Sequence, residues 1–311
     1  MFRSISALIF SLLFLSSCHR YHKVLEITHS SELKGVGSAS GMAMHNGNYF
    51  VVGDDTPFLF LVDTQFQVIK KWLIYPADTT VAKIPKSVKP DFEALENIGD
   101  SVLLIFGSGS KSPQRDIFIK IHPENPDSVE THSLIDFYNH LKSQQVLRDK
   151  ELNIEGVAVR KNRMYLLNRT PSVVFEMDYN AFLRYIAEGS PMPEVRATSY
   201  NLPSIGGTKA GFSGVTSVSY IPYLIFTASV EVTDNSINDG AILGSFAGTI
   251  LLEDDELTSS IKTIQLDTGD KPVKVESIGV ETIHSDRHIT VILVTDSDGK
   301  ESMIYRCKMT W

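Results

Sequence analysis

The sequence predicts an all-β fold, a β-propeller of five four-stranded blades, on the basis of three observations. A short motif recurs five times, each copy is followed by alternating apolar strands with turn residues between them, and a spare strand precedes the first copy. Repeats of about 60 residues with four strands each are typical of propeller blades. A sixth blade is the alternative, if one of the longer repeats contains an additional irregular blade.

The recurring motif consists of a serine or glutamate, then a very small residue, then an aliphatic residue. Its copies begin about 53 to 63 residues apart and are Ser40-Gly41-Met42, Glu93-Ala94-Leu95, Glu155-Gly156-Val157, Ser213-Gly214-Val215 and Glu276-Ser277-Ile278. Because the first strand of a propeller blade lines the central channel, the five serines and glutamates are predicted to form a ring around one mouth of that channel. The small residue that follows would allow neighbouring blades to approach each other closely.

Three further strands complete each repeat. The predicted second strands are residues 49–52, 102–106, 164–167, 223–226 and 289–294. The predicted third strands are 58–62, 117–121, 173–177, 242–252 and 303–309, and the fourth strands are 68–74, 129–134, 195–202 and 261–266. The fifth repeat has no fourth strand of its own, so residues 24–28 are predicted to supply it. Closing the ring in this way would remove an exposed sheet edge.

Three segments interrupt the strand pattern. Residues 134–147 and 180–188 carry apolar side chains at helical spacing, and they are predicted to form helices that pack on the disc. Residues 77–90 show no clear period and contain Pro85 and Pro90 among lysines, so a long loop is expected there.

The N-terminal residues predict export and lipidation. Arg3 precedes an apolar run at residues 5–15, which is too short to span a bilayer but is typical of a signal peptide. The run ends in Leu15-Ser16-Ser17-Cys18, which resembles the lipobox of bacterial lipoproteins. The resemblance implies a signal peptide at residues 1–17, acyl chains such as palmitate on Cys18, a tether at 18–23 and a single domain at 24–311. An ordinary signal peptide with an incidental cysteine is the alternative.

The expected location and partners follow from the same region and from the charge of the chain. No acidic residue follows Cys18 directly, which by the same resemblance implies sorting to an outer membrane, facing the periplasm. The formal net charge of −8 and the lack of a basic stripe argue against a nucleic-acid partner. With Cys18 acylated, Cys307 has no disulfide partner, and its alternating apolar surroundings predict a buried strand residue. A monomer is expected.

Three of the five ring positions are carboxylates, Glu93, Glu155 and Glu276. Carboxylates that converge on one axis repel each other unless protons or a cation lie between them. Calcium prefers carboxylate, amide and carbonyl oxygens, so these three residues are candidate ligands of a calcium ion. Two alternatives stay open: each glutamate hydrogen-bonds the backbone of the next blade, or the carboxylates act directly in catalysis.

Further candidates for ligand binding lie in the ring or just after the second strands. They are Ser40, Ser213, Asp54, Asp55, Asn168, Arg169 and Glu231. The glycine- and serine-rich residues 107–111 could also form a nest of backbone N–H groups that binds an anion, with a plain inter-strand turn as the alternative. The candidates in and near this segment are Ser108, Ser110, Lys111 and Arg115.

Two of the motifs resemble those of known bacterial propellers. Asp91-Phe92-Glu93-Ala94-Leu95 and Asn153-Ile154-Glu155-Gly156-Val157-Ala158 are similar to the Asp-x-Glu-Gly motif of the SdiA-regulated periplasmic proteins and the phytase-like, or esterase-like, propellers. Ala94 and Asn153 depart from that motif. The chain also resembles a family of bacterial propeller lipoproteins that has no established activity. That similarity lies in residues 89–95, 107–110, 115, 226–231, 239–240 and 243–245.

Two functions of different classes are consistent with these observations. The first is a lipid-anchored propeller that binds a small ligand, a glycan or another envelope protein at its polar channel mouth, with structural calcium. The second is a metal-assisted hydrolase of a phosphoester or lactone, with Glu93 and Glu155 among the metal ligands. Binding is favoured because no general base stands out in the sequence, but the fold class alone does not separate the two.

Overall fold

The computed structural model describes residues 23–77, 83–233, 240–269, 271–297 and 301–311. These residues form five four-stranded antiparallel sheets, arranged as a five-bladed β-propeller. The predicted fold class is therefore confirmed, with five blades rather than six. The predicted signal peptide and Cys18 lie outside the described residues. None of the helices among the described residues is long and apolar enough to cross a membrane.

The strands follow the chain in propeller order. The first strand, β1 (Val24–Gly37), belongs to the last blade. Blade 1 contains β2 (Ala39–His45), β3 (Asn48–Gly53), β4 (Phe58–Val62) and β5 (Val68–Leu73). Blade 2 contains β6 (Phe92–Ile98), β7 (Val102–Gly107), β8 (Ile117–His122) and β9 (Asn125–Ser133). Blade 3 contains β10 (Ile154–Arg160), β11 (Arg163–Asn168), β12 (Val173–Asp178) and β13 (Val195–Ser199).

A two-stranded ribbon, β14 (Ser204–Ile205) and β15 (Thr208–Lys209), separates blade 3 from blade 4. Blade 4 contains β16 (Gly211–Ser217), β17 (Tyr223–Val232), β18 (Ala241–Glu253) and β19 (Glu256–Gln265). Blade 5 contains β20 (Lys274–Ser285), β21 (His288–Asp296), β22 (Glu301–Thr310) and β1. The sequence did not predict the ribbon, because strands of two residues carry no periodic pattern.

Strand β1 closes the ring. It pairs antiparallel with β22 from Val24, opposite Thr310, to Gly37, opposite Glu301. The closing strand predicted at residues 24–28 is thus confirmed, but it is 14 residues long. Its full length escaped the sequence analysis because the register shifts twice, between Ile27 and His29 and between Leu33 and Gly37, which breaks the alternation of buried and exposed side chains.

The five first strands, β2, β6, β10, β16 and β20, each contact the first strands of both neighbouring blades and so enclose the central channel. We call the end where these strands begin the upper mouth. The end where they turn into the second strands is the lower mouth. Apolar clusters fill the space between successive blades, so the core is a set of wedges rather than one central mass.

Each copy of the sequence motif forms a β-bulge at the start of a first strand. The register shifts at Ser40, Glu93, Glu155, Ser213 and Glu276, the first residue of each motif. A bulge leaves one residue without a cross-strand partner and redirects its side chain. The following small residue is required by packing: a Cβ on Gly41 would lie 3.0 Å from the Leu95 Cβ of blade 2, and a Cβ on Gly214 would lie 2.7 Å from the Ser277 Cα of blade 5.

The two predicted helices are present. Helix α1 (Ile135–Lys142) is followed by a 3₁₀ turn at Gln145–Leu147, and both lie within the predicted range 134–147. Helix α2 (Tyr179–Glu188) begins after Asp178, whose carboxylate accepts a hydrogen bond from the Ala181 N–H at 2.7 Å. It ends at Gly189, which has a left-handed backbone. The described part of the predicted loop 77–90 contains no strand or helix.

Candidate functional site

Charged side chains from all five blades meet at the upper mouth. The bulged residues Glu93, Glu155 and Glu276 lie at the beginning of their first strands, where the second strands of the same blades end. The charged groups that join them come from the ends of second strands and from the segments just before first strands. They are Asp54, Arg169, Glu231, Asp296, Lys89, Asp91 and Lys274.

Arg169 lies between three carboxylates of three blades. Its guanidinium is 3.2 Å from Glu155 Oε2, 3.0 Å from Glu231 Oε2 and 3.7 Å from Glu276 Oε2. Its Nη2 also donates to Ser229 Oγ at 3.1 Å. Although burial lowers the pKa of Arg169, the three glutamates raise it well above its ordinary value. Arg169 therefore joins blades 3, 4 and 5 at the mouth as a permanent cation.

Lys274 extends this network. Its Nζ lies 2.9 Å from Glu276 Oε1, 3.4 Å from Glu231 Oε2 and 3.7 Å from Asp296 Oδ2. Burial raises the pKa of the Glu276 carboxyl, while Lys274 and Arg169 oppose that shift. The two cations thus hold Glu231 and Glu276 between them.

A second cluster lies on the side of blades 1 and 2. The ammonium group of Lys89 pairs with Asp54 Oδ2 and, at 2.7 Å, with Asp91 Oδ1. Asp91 Oδ2 is bound in addition by Arg115 Nη1 and by Ser108 Oγ, both at 2.5 Å. Burial raises the pKa of Asp54 to about 6 in spite of Lys89. Lys89 and Arg115 are themselves buried, so this cluster is part of the channel wall.

Glu93 differs from the other carboxylates of the mouth. No hydrogen bond or ion pair involves its side chain within the described part of the chain, and the residue keeps partial access to solvent. Burial raises the pKa of Glu93 well above its ordinary value, and the negative charges of Glu155 and Asp91 add to that effect. Glu93 is therefore a mouth carboxyl without a direct ion pair among the described residues, although Lys89 and Arg169 lie close enough for its charge to raise their pKa.

The remaining predicted residues have structural contacts. Ser40 Oγ donates to the Phe92 carbonyl of blade 2 and so joins two blades. Asn168 is fully buried, and its Oδ1 accepts from the Asn153 N–H at 2.7 Å. Asp55 pairs with Lys83 at 2.5 Å at the edge of the mouth. Ser213 is buried, and its hydroxyl has no hydrogen-bond partner among the described residues.

The segment at residues 107–111 does not present two free cations to an anion. The Arg115 guanidinium is bound to Asp91 and, at 2.7 Å, to Ser110 Oγ. Ser108 and Ser110 bond each other at 2.8 Å, and Lys111 lies exposed to solvent. These contacts make Ser108, Ser110 and Arg115 a support for Asp91 rather than an open anion site.

One group of three carboxylates among the described residues has the spacing of metal ligands. Oxygen atoms of Asp54, Asp91 and Glu93 all lie within 4.8 Å of one another. This group shares only Glu93 with the predicted calcium ligands, because Glu155 and Glu276 are paired with Arg169. Carboxylate oxygens fit calcium, but a metal ion there would compete with the Lys89 ammonium. Calcium binding stays a prediction.

Sequence reasoning missed four charged residues of the site: Lys89, Asp91, Lys274 and Asp296. Asp91 and Lys274 each stand two residues before a motif glutamate. Because residues two apart in a strand point to the same face, their spacing could have placed them at the mouth beside the glutamates. Asp296 ends β21 in the way that Asn168 ends β11. Lys89 lies in a segment without periodicity, where no pattern indicates burial.

Comparisons with known proteins agree with the fold. The structure is similar to glutaminyl cyclase from Myxococcus xanthus, with a TM-score of 0.52 and 8% identity over 93% of this chain and 98% of that one. A PQQ-bound aldose sugar dehydrogenase from Streptomyces coelicolor gives a TM-score of 0.47 and 10% identity over 92% and 98% of the two chains. At such identities the likeness concerns the fold alone.

No functionally curated protein matches the sequence. A family match does cover most of the chain: residues 35–309 match the Family of unknown function (DUF6929). The matched range includes all five motifs and both charged clusters of the upper mouth. The chain therefore belongs to the DUF6929 family.

Proposed function

We propose that this protein is a binding protein of the cell envelope whose upper mouth binds a small ligand through a cationic group. The observation that carries the proposal is Glu93, a carboxyl in the channel wall without a partner among the described residues. The negative charges of Glu155, Asp91, Asp54 and Glu276 all raise its pKa, so a cation beside it would be favoured by every one of these charges.

The surrounding network supports specificity as well as attraction. Arg169, Lys274 and Lys89 are already fixed by carboxylates, so they give the mouth a rigid pattern of donors and acceptors. Fixed polar groups around a small ligand set its orientation without the entropic cost of ordering long side chains on binding. A small polar amine, an amino sugar of a glycan or a calcium ion matches the charge of this site.

The proposal predicts cation-dependent stabilisation that requires Glu93. Putrescine, glucosamine and calcium chloride would each be compared with a matched neutral or monovalent probe: 1,4-butanediol, N-acetylglucosamine and sodium chloride. At least one cation is expected to raise the melting temperature by a few degrees, the shift that a concentration about tenfold above Kd produces. Glu93→Gln should abolish the shift because it removes the unpaired charge, while Glu253→Gln on the exposed end of β18 should leave it unchanged.

The same experiment has outcomes that would reject the proposal. If no cation shifts the wild-type melting temperature, or if the shift survives in Glu93→Gln, the upper mouth does not bind a cation through Glu93. If calcium chloride alone fails to raise the melting temperature, and elemental analysis finds no metal, calcium is rejected as the ligand and the organic cations remain candidates.

A metal-assisted hydrolase is the second candidate, and the spacing of Asp54, Asp91 and Glu93 is the observation that favours it. A divalent metal at these oxygens could polarise the bond of a phosphoester or lactone. Wild-type protein with calcium would be assayed on p-nitrophenyl phosphate and on a series of lactones, with Glu93→Gln as the inactive comparison. Absence of turnover on every substrate would leave the binding function.

We also propose that a lipid on Cys18 holds the propeller at the outer membrane, on its periplasmic side. Val24 of β1 pairs with Thr310, which in turn pairs with His288 beside a turn of the lower face. A tether of six residues spans at most about 20 Å, so the lower face would lie against the bilayer and the charged upper mouth would face away from it.

The anchor predicts where a variant is found in the cell. Cys18→Ser should move the protein from the membrane fraction to the soluble periplasmic fraction, because the acylated thiol is lost. Lys23→Ser, a change in the same tether, should leave it in the membrane fraction. Wild-type protein that is soluble, or that shows no acyl chain by mass spectrometry, would contradict the proposal.

A further inference from the structure

The lower mouth of the channel opens into a cavity of about 470 Å³. This volume lies in the range of pockets that hold small molecules. All five first strands line the cavity, each with at least one apolar side chain, and these include Met42, Leu95, Val159, Val215 and Val280. The cavity is separate from the upper mouth and shares none of its charged residues.

Two exposed apolar side chains lie at the rim of this cavity, beside the charged Asp100 and Lys161. Tyr220, in the turn after β16, is 88% exposed, and Ile283, near the end of β20, is 38% exposed. The polar lining is largely satisfied within the protein, as Ser217 Oγ donates to the Val159 carbonyl at 2.9 Å. An apolar molecule would therefore remove apolar surface from water on both sides when it enters.

One ionisable group in the cavity wall, Glu96, is not satisfied. Its Oε1 accepts from the Asn97 N–H at 3.0 Å, whereas its buried Oε2 has no hydrogen bond of ordinary geometry among the described residues, with the Val159 N–H the other donor near the carboxyl. Burial raises the pKa of Glu96 to about 8, although the backbone N–H groups of Asn97 and Val159 act in the opposite direction. A buried carboxyl without a partner for one oxygen costs free energy that a matching ligand group would recover.

The other charged groups near this mouth do not supply that partner. The Lys161 ammonium pairs with Asp255 at 2.6 Å, and Arg160 pairs with the same carboxylate. His45 lies near the carboxylates of Asp100, at 3.6 Å, and of Glu124, at 3.9 Å. The Tyr179 hydroxyl is close enough for Glu96 to raise its pKa, but it carries no positive charge.

We propose that the lower mouth is a second binding site, which takes a small amphiphilic primary amine with its alkyl body in the cavity and its ammonium on Glu96. Oε2 is covered in the present conformation, so rotation of the Glu96 carboxyl would turn it toward the cavity, where the ammonium supplies the donor that it lacks. A hydrogen bond between two charged groups is stronger than one between neutral groups. Because Glu96 is mainly protonated at neutral pH, binding an ammonium releases its proton to the solvent.

Isothermal titration with n-hexylamine, n-hexanol and sodium hexanoate tests this site. At pH 7 hexylamine is expected to bind about tenfold more tightly than hexanol, the factor of one charge-assisted pair, and hexanoate more weakly still. Repeating the hexylamine titration in buffers of different ionisation enthalpy should show release of most of one proton, and the release should decline above pH 8 as Glu96 becomes ionised beforehand.

Four variants separate this site from alternatives. Glu96→Gln should abolish proton release and the preference for hexylamine over hexanol, and Thr216→Phe should weaken both ligands by filling the cavity. Glu124→Gln, the same chemical change on an exposed turn, should behave as wild type. Glu93→Gln tests whether hexylamine binds at the upper mouth instead, because that residue carries the proposed cation binding there.

The outcomes distinguish the two sites. Equal affinity for hexylamine and hexanol, or binding that Glu96→Gln does not alter, would overturn the lower-mouth site. If Glu93→Gln and not Glu96→Gln removes hexylamine binding, the amine binds at the upper mouth, so the lower-mouth site fails while the proposed function stands. The Glu96→Gln variant is shown to fold if its melting temperature at pH 7 is no lower than that of the wild type.

Discussion

Replacing Arg169 by methionine should lower the free energy of unfolding by about 3 to 5 kcal/mol at pH 8, the cost of leaving buried charges without their partner. Methionine keeps much of the volume of the arginine side chain but leaves Glu155 without its ion-pair partner and Glu231 with Lys274 alone. Glu276 keeps only Lys274 as an ion-pair partner among the described residues. Because these three carboxylates belong to three blades, their repulsion would act directly on the contacts between blades.

The loss should depend on pH in a defined direction. Burial raises the pKa of Glu155 and Glu276, and Arg169 opposes that shift, so in the variant the pKa of both rises further and their unfavourable contribution grows as pH rises through those values. The difference from wild type is therefore smaller near pH 4.5, where the raised carboxyls of the folded state are mostly protonated and the glutamates of the unfolded chain about half protonated, and larger above pH 8. Urea denaturation followed by circular dichroism at both pH values measures it.

Two controls give the result its meaning. Arg169→Lys keeps the charge but cannot reach all three carboxylates, so its loss should be smaller than that of Arg169→Met. Lys120→Met breaks a pair with Glu130 on the outer surface, where both side chains are partly exposed, and should cost at most about 1 kcal/mol. A loss in Arg169→Met that is equal at pH 4.5 and pH 8 would contradict the electrostatic explanation.

The sequence predicted the blades well because each blade repeats a local pattern. The motif at Glu93-Ala94-Leu95 and its four equivalents repeat a fixed order of residue types that is visible in the sequence, whereas the bulge that each copy forms is visible only in the structure. The closing strand was predicted only in its first part, because the bulges in β1 interrupt the alternation on which strand prediction depends.

The pairing of charges at the upper mouth could not be predicted in the same way. Arg169 and Glu231 are 62 residues apart, and their contact depends on how two blades are rotated about the channel. The motif gave the carboxylates but not the cations, because Lys89, Arg169 and Lys274 occupy different positions in their repeats. The sequence therefore suggested a calcium ion at a mouth where lysine and arginine side chains supply much of the positive charge.

The lower mouth was missed for a related reason. Glu96 stands three residues after a motif glutamate, near the end of a strand, where a polar residue ordinarily indicates exposure to solvent. Its surroundings include Val159 of the next blade and Tyr179, the first residue of helix α2. These contacts lie more than one repeat away in the sequence, beyond the reach of a local pattern.

Deleting residues 23–37 should abolish the cooperative unfolding transition of the propeller. The deletion removes the whole of β1, including Leu33 and Val36, which are fully buried in the apolar cluster between blades 5 and 1. It also exposes the backbone of β22 as an open edge, which invites aggregation. Since single domains are stable by only about 5 to 15 kcal/mol, loss of one strand and its core contacts should remove most of that stability.

A circular permutant distinguishes loss of the strand from loss of its position in the chain. Val24 is paired with Thr310 at the lower face, so residues 23–37 joined after Trp311 by a short glycine-serine linker can form the same strand as a hairpin with β22. The permutant begins at Ser38 and is expected to recover a melting temperature close to that of the full-length protein. If the simple deletion itself melts cooperatively within a few degrees of the full-length protein, strand β1 is not what holds the ring closed.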